Sequence, residues 1–256
     1  MFKLLTENIY KLDIPFENIT TSSFLVRTNE GDILVDCGTY ESDVTHILLP
    51  ALREIKADVK YLFITHFHGD HSGGTATLLK ELPPFKILSF GKDFCEKFGG
   101  TLLINNMEIL PDICFLSLPG HSSDSGALLD KRTGSLITGD SLQLWGITKY
   151  GCGVGLPQEY KKTLKRLKAN PPENIFAAHE YYPLGSIAMG KEAVNEYIDE
   201  CGRIYSDLCE FTLAKKQSGV TDIEKIADDF MREKRKTHPN MPTIQTNVFE
   251  CVFNSK

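Results

Sequence analysis

Up to about residue 185, apolar residues come in short unbroken runs, separated by turns and by amphipathic stretches. Phe24-Leu25-Val26 and Ile33-Leu34-Val35 flank Thr28-Asn29-Glu30-Gly31-Asp32, and Asn, Gly and Asp between apolar runs are hairpin chemistry. Tyr61-Leu62-Phe63-Ile64 is apolar on both of its alternating faces, as a parallel core strand requires. Phe85 to Phe90, Thr101 to Ile104, Ile113 to Leu118 and Ile175 to Ala178 read as further strands. Ala127-Leu128-Leu129 and Ser135 to Thr138 read as a hairpin around Lys131-Arg132-Thr133-Gly134. Helical spacing lies between these runs. Ser42 can cap a helix to about Ile55 that places Val44, Ile47, Leu48 and Ile55 on one face, with a kink or break at Pro50. Thr75 to Leu82 stops at Pro83-Pro84. Gln158 to Lys168 carries Tyr160, Leu164 and Leu167, and ends before Pro171-Pro172. Strands alternating with helices, without a fixed-period repeat, indicate an α/β (α+β) chain.

From Ser186 onward the pattern turns helical. Val194, Tyr197, Ile198, Cys201, Ile204, Tyr205, Leu208 and Phe211 recur at three- and four-residue steps. Thr221-Asp222-Ile223-Glu224 is a capping box opening a second helix to about Lys236. Two regions are therefore expected: a core over residues 1–185 and a helical extension over 186–256. The apolar stripe of that extension packs on its own domain, covers the active site, or forms a dimer face.

The chemistry sits where strands end. Directly after the 61–64 run comes Thr65-His66-Phe67-His68-Gly69-Asp70-His71, four potential metal ligands within six positions. His66 and His68, two apart, can reach one ion from an extended backbone. Gly69 lets the chain turn and send Asp70 and His71 elsewhere, so the spacing suggests two metals side by side. Imidazole with carboxylate suits zinc, iron or manganese. His121, Asp140 and His179 also follow apolar strands, so five of the seven histidines fall at strand ends. His46 and His238 are assigned no role. Asp36, closing its own strand, reads as a turn or support residue rather than a ligand.

Composition narrows the options. With 256 residues, 24% charged and 41% hydrophobic, the chain can bury a substantial core. A net charge of −6 and the lack of a basic stripe weigh against a nucleic-acid partner. Arg232-Glu233-Lys234-Arg235-Lys236 reads as a solvated helix end favoured by the dipole. Met1 to Pro15 lacks a signal-peptide core, and no run approaches the ~18–20 apolar residues of a membrane span. Seven cysteines without a CxxC pair fit reduced thiols in a cytoplasmic protein.

The segment His66-x-His68-x-Asp70-His71 after a hydrophobic strand resembles the metallo-β-lactamase superfamily. Pro119-Gly120-His121-Ser122, Thr138-Gly139-Asp140-Ser141 and His179-Glu180-Tyr181 match it in order, over about residues 20–185. The resemblance implies an αββα sandwich around two divalent metal ions, zinc first, with iron or manganese as alternatives. It implies that His66, His68 and His121 hold one ion, that Asp70, His71 and His179 hold the other, and that Asp140 bridges. A hydroxide shared by the ions is the implied nucleophile, which Asp70 could orient, or pass its proton to the leaving group.

The spacing from Asp140 to His179 and the run His179-Glu180-Tyr181 look most like the glyoxalase II branch, where a tyrosine matching Tyr181 contacts glutathione. Val154 stands where that branch has a glutathione-binding lysine. The carboxy-terminal Thr246-Asn247-Val248-Phe249-Glu250 lacks the branch's basic residues. The implied reaction is thus hydrolysis of another thioester, a lactone or a different ester, on a small-molecule substrate, with a homodimer left open. Competing readings on the same scaffold are a phosphodiesterase, an iron-dependent oxidoreductase, and a metal-containing binding or signalling protein with weak catalysis. Tyr181 and Tyr182 are each a phenol donating to an oxyanion or a ring packed beneath the loop. Trp145, Ile147 and Tyr150 are a substrate wall or core.

Overall fold

A computed structural model describes residues 1–17, 19–145, 153–237 and 244–255. One seven-stranded sheet takes its strands in sequence order: β1 (Lys3–Leu4), β2 (Ile9–Phe16), β3 (Ile19–Val26), β4 (Asp32–Val35), β5 (Val59–Ile64), β6 (Lys86–Ser89) and β7 (Thr101–Leu102). Its first four strands are antiparallel, and pairing is parallel from β4 to β7. The second sheet is built from β8 (Met107–Leu110), β9 (Ile113–Ser117), β10 (Gly126–Asp130), β11 (Ser135–Gly139), β12 (Asn174–Tyr181) and β13 (Gly185–Met189), ordered β13-β12-β11-β10-β9-β8. Only β11 and β12 are parallel in it.

Alternation along each strand divides the apolar residues between two layers. Phe24, Val26, Ile33, Val35, Phe63 and Leu88 face Phe115, Leu128, Ile137 and Phe176 of the other sheet. Their neighbours Leu25, Leu34, Leu62, Ile64 and Ile87 face outward. Over them lie α1 (Glu41–Asp43), a π-helical turn (Val44–Leu48), α2 (Leu49–Glu54), α3 (Gly69–Ser72), α4 (Thr75–Glu81) and α5 (Lys92–Phe98), which supply Val44, Leu48, Leu52, Leu78 and Phe94. The outer face of the second sheet, with Leu136, Ile175 and Ala177, is covered by α6 (Pro157–Ala169), α7 (Lys191–Gln217), α8 (Ile223–Thr237) and α9 (Thr246–Asn254). This is the expected αββα order of layers. Among the described residues no helix is long and apolar enough to cross a membrane.

Several boundaries differ from the sequence pattern. The helix expected from Ser42 begins at Glu41, and Asp43 rather than Ser42 accepts the free N–H groups of Thr39 and Tyr40, at 2.9 and 2.8 Å. The break expected at Pro50 takes the form of a π turn that ends before it, so the residue lacking an N–H stands in the first turn of α2. The strand expected over 101–104 ends at Leu102. Residues 186–189, expected as helix, form edge strand β13 on β12, and α7 starts only at Lys191. There Ser186 and Ala188 are buried while Ile187 and Met189 are exposed, a two-residue period too short to register against the long helical stripe that follows.

Candidate metal centre

β4 and β5 are parallel in one sheet and β11 and β12 in the other, and residues at or just past the carboxyl ends of these strands meet in one crevice, the usual ligand side of such sheets. Asp36 follows β4 with φ 58°, a left-handed conformation that Asp tolerates better than most residues. Its carboxylate accepts the Thr65 N–H and hydroxyl, both at 2.8 Å, and stands 2.7 Å from His71 Nδ1. His71 must therefore carry its proton on Nδ1, which leaves the Nε2 lone pair facing the crevice. Thr65 Oγ1, its hydrogen given to Asp36, accepts at 3.2 Å from His66 Nδ1 and exposes His66 Nε2 in the same way. Gly139 closes in from β11 with φ 51°, and a Cβ there would lie 2.4 Å from Thr65 Oγ1. Only glycine fits.

His66 Nε2 and His121 Nε2 lie 2.9 and 3.0 Å from His68 Nδ1. His121 donates its Nδ1–H to the Gly153 carbonyl at 2.8 Å, so it too turns a lone pair inward. Tetrahedral ligation at Zn–N of about 2.0–2.1 Å puts ligand nitrogens roughly 3.3 Å apart, close to these separations. Beyond this trio, Asp140 Oδ2 is 3.6 Å from His121 Nε2, and Oδ1 is 3.6 and 3.4 Å from His71 Nε2 and His179 Nε2. Asp70 Oδ2 lies 3.4 Å from His71 Nε2 and 3.3 Å from His179 Nε2, and accepts the Thr21 hydroxyl at 3.0 Å. His179 Nδ1 donates to Thr20 O at 2.8 Å across the gap between the sheets. All seven expected residues meet here. Three groups place their ligand atoms within 4.8 Å of one another and could hold a metal: His66, His68 and His121; His66, His71 and Asp140; and Asp70, His71 and His179.

The turn that separates the two triads is not the one expected. Asp70 and His71 project from a single helical turn, α3, with His68 at its N-cap, and Gly69 is not left-handed. His179, expected just past a strand end, sits inside β12, which continues to Tyr181 beyond an irregularity in its pairing with β13.

Charge is unevenly distributed. Burial pushes His66 and His121 down, so both are neutral. Burial acts the same way on His71, but Asp70, Asp140 and Asp36 outweigh it and hold the ring well above the usual range, so without a cation Nε2 carries a second proton, the one a metal ion would replace. His179 is likewise raised to about 10 by Asp140 and Asp70 against the effect of burial. Burial would raise Asp70 and Asp140, yet these imidazoles keep both carboxyls well below the usual range.

A cavity of about 300 Å³ stands over the cluster, with His68, Asp70, His121, Asp140 and His179 at its floor. Phe16 and Ile19 come from the β2–β3 hairpin, Gln143 from the loop after β11, Tyr181 from the end of β12, and Gln245, Asn247 and Val248 from the start of α9. Tyr181 is a buried wall residue, and burial beside Asp140 keeps its phenol protonated. Tyr182 packs instead against the outer core and bridges by backbone to Trp145. Trp145 is 1% exposed, with its ring 5.7 Å from Phe230, so it is core rather than substrate wall; Ile147, Tyr150 and His238 lie outside the described residues. Val154 is buried in the same core, and His46 is exposed on the π turn. Thr65, Gly153 and Gln143 are contributors the sequence did not reveal. Thr65 adjoins His66 and could have been suspected, whereas nothing in spacing marks Gln143.

Residues 18–88 match the Metallo-beta-lactamase superfamily family model. Among curated proteins, a Beta-lactamase-like protein 2 homolog from Caenorhabditis elegans is 29% identical over 198 residues, covering 72% of this chain and 63% of that protein. A hydroxyacylglutathione hydrolase from Thermosynechococcus vestitus is 28% identical over 198 residues, 72% of this chain and 75% of its own length. Among solved structures, a metallo-beta-lactamase family protein from Thermus thermophilus superposes with TM-score 0.73 at 17% identity, covering 97% of this chain and 92% of the other. Over residues 18–88 the chain is thus similar to the metallo-β-lactamase superfamily model, its relatives include a hydroxyacylglutathione hydrolase, and the solved structure shares its fold.

Proposed function

We propose that this chain is a metal-dependent hydrolase of an ester, thioester or lactone. His66, His68 and His121 would hold one divalent ion, Asp70, His71 and His179 a second, and Asp140 would reach both. One observation carries the reading: His71 Nε2 and Asp140 Oδ1 are buried without a hydrogen-bond partner at the centre of the cluster. The two atoms face each other at 3.6 Å, too far apart to hydrogen-bond, and a cation at that position would engage both. Imidazole nitrogen and carboxylate oxygen are the donor set for zinc, and iron or manganese accept the same ligands. Bound there, such ions acidify water toward neutrality and polarise a carbonyl.

The chain's own groups do the rest. Asp70, ionised at the cavity floor and fixed by Thr21, can accept a hydrogen bond and so orient an attacking water. Tyr181 keeps its proton and can donate to an oxyanion from the wall. Phe16, Ile19 and Val248 suit the apolar part of a small substrate. The helices that follow β13 cover the second sheet, and the start of α9 covers one side of the site.

The relatives named hydroxyacylglutathione hydrolase make a thioester the first substrate to try. A panel of thioesters, lactones, simple esters, phosphodiesters and β-lactams, assayed before and after chelation, tests the proposal. Hydrolysis in the first three classes, lost with the metal and restored by adding zinc, is expected. Turnover of phosphodiesters alone, or hydrolysis indifferent to chelation, would contradict it.

A further inference from the structure

One buried amide touches three of the residues that line the cavity, Asp140, Gly153 and Tyr181. Gln143 is 2% exposed, and its Nε2 donates to the Asp140 carbonyl at 2.6 Å. Its Oε1 accepts the Gly153 N–H at 2.9 Å. The same Nε2 lies 3.3 Å from Tyr181 Oη, so each amide hydrogen has an acceptor. The 3.5 Å approach of Nε2 to His121 Nδ1 is then donor against donor, because that nitrogen gives its hydrogen to Gly153 O. The amide has only one workable orientation. Reversing it would set oxygen against the Asp140 carbonyl and NH₂ against the Gly153 N–H.

The backbone beneath is fixed as well. Tyr160 Oη accepts the Gln143 N–H at 2.9 Å and donates to its carbonyl at 3.0 Å. A Cβ on Gly153 would lie 2.8 Å from His121 Nδ1, so the Gly153 carbonyl can approach this ring only because it belongs to a glycine.

We propose that Gln143 is a positioning residue: through Gly153 it fixes the ring plane and the Nδ1–H tautomer of His121, while its NH₂ sets the Asp140 turn and the Tyr181 hydroxyl. The inference rests on the proposed metal reading, in which His121 Nε2 and Asp140 are ligands. Without the amide, the Gly153 N–H and the Asp140 carbonyl lose partners and the His121 ring is free to turn.

The test uses full-length Gln143→Leu and Gln143→Glu, the second keeping the shape and the Gly153 acceptor while removing the NH₂ donors. Zinc affinity is measured by competition with a chelator, and the cobalt-substituted proteins are compared by visible spectroscopy. Both variants should keep the wild-type circular dichroism, bind zinc about 10–100-fold more weakly and shift the cobalt bands. Wild-type affinity and spectrum in either folded variant overturn the inference. In the zinc-loaded wild type, long-range proton–nitrogen NMR should show His121 protonated at Nδ1. Protonation at Nε2 overturns the inference independently of whether any variant folds. A wild type that binds no zinc or cobalt refutes the metal reading instead, which separates the two failures.

Discussion

Asp36 holds no position in any of the candidate ligand triads, yet its carboxylate decides which nitrogen of His71 is free. In Asp36→Asn the amide NH₂ would take the place of the oxygen that faces His71 Nδ1. The ring would then move its proton to Nε2, into the cluster. Zinc affinity and turnover should fall about 10–100-fold while the fold persists; a wild-type zinc titration in this variant would show that His71 is not oriented this way. At this scale the sequence was most informative about donors and least about their supports. Histidines and carboxylates at strand ends are visible as residue types, whereas Gln143 and Gly153 matter only through neighbours set by the fold. Asp36 showed its position but not its partner.

At the scale of elements, continuous apolar runs marked β4, β5 and β12 because strands buried on both faces leave no polar position. Edge strands such as β13 are legible only by alternation, and this one merges with the helix that follows. The helices are held to one another by charge as well as by core. Asp229 of α8 is 2.8 Å from Lys215 of α7, 3.2 Å from Lys225, and also pairs with Arg232. Hydrogen bonds from Lys215 and Lys225 pull its pKa down to about 2. A carboxyl depressed by folding adds stability above its unfolded pKa of about 3.9 and loses it as pH falls through the folded value. Asp229→Asn should therefore lower the melting temperature at pH 7, with the gap to wild type narrowing between about pH 4 and pH 2. A gap independent of pH over that window would mean the ion pairs do not stabilise the α7–α8 contact.

Across the whole molecule, the helical extension and the sandwich meet at the cavity. Val248 lines it, while the adjacent Phe249 is fully buried, with its ring 5.3 Å from Phe230. Phe249→Ala should cost about 3–5 kcal/mol of stability and loosen the start of α9, raising KM while zinc content stays at the wild-type level. Loss of zinc along with the stability would tie the extension to the metal site rather than to the substrate. The layer order was readable from the sequence because each layer has its own hydrophobic period. The contribution of α9 to the cavity was not, since it depends on how a distant helix docks.

The most direct test is a zinc titration of the metal-free protein by calorimetry, run beside His68→Ala and Asp140→Ala. Two ions per wild-type chain, with fewer or much weaker sites in both folded variants and at least about 100-fold lower turnover, are predicted. Failure of the wild type to bind zinc, or unaltered binding and turnover in either variant, would contradict the account.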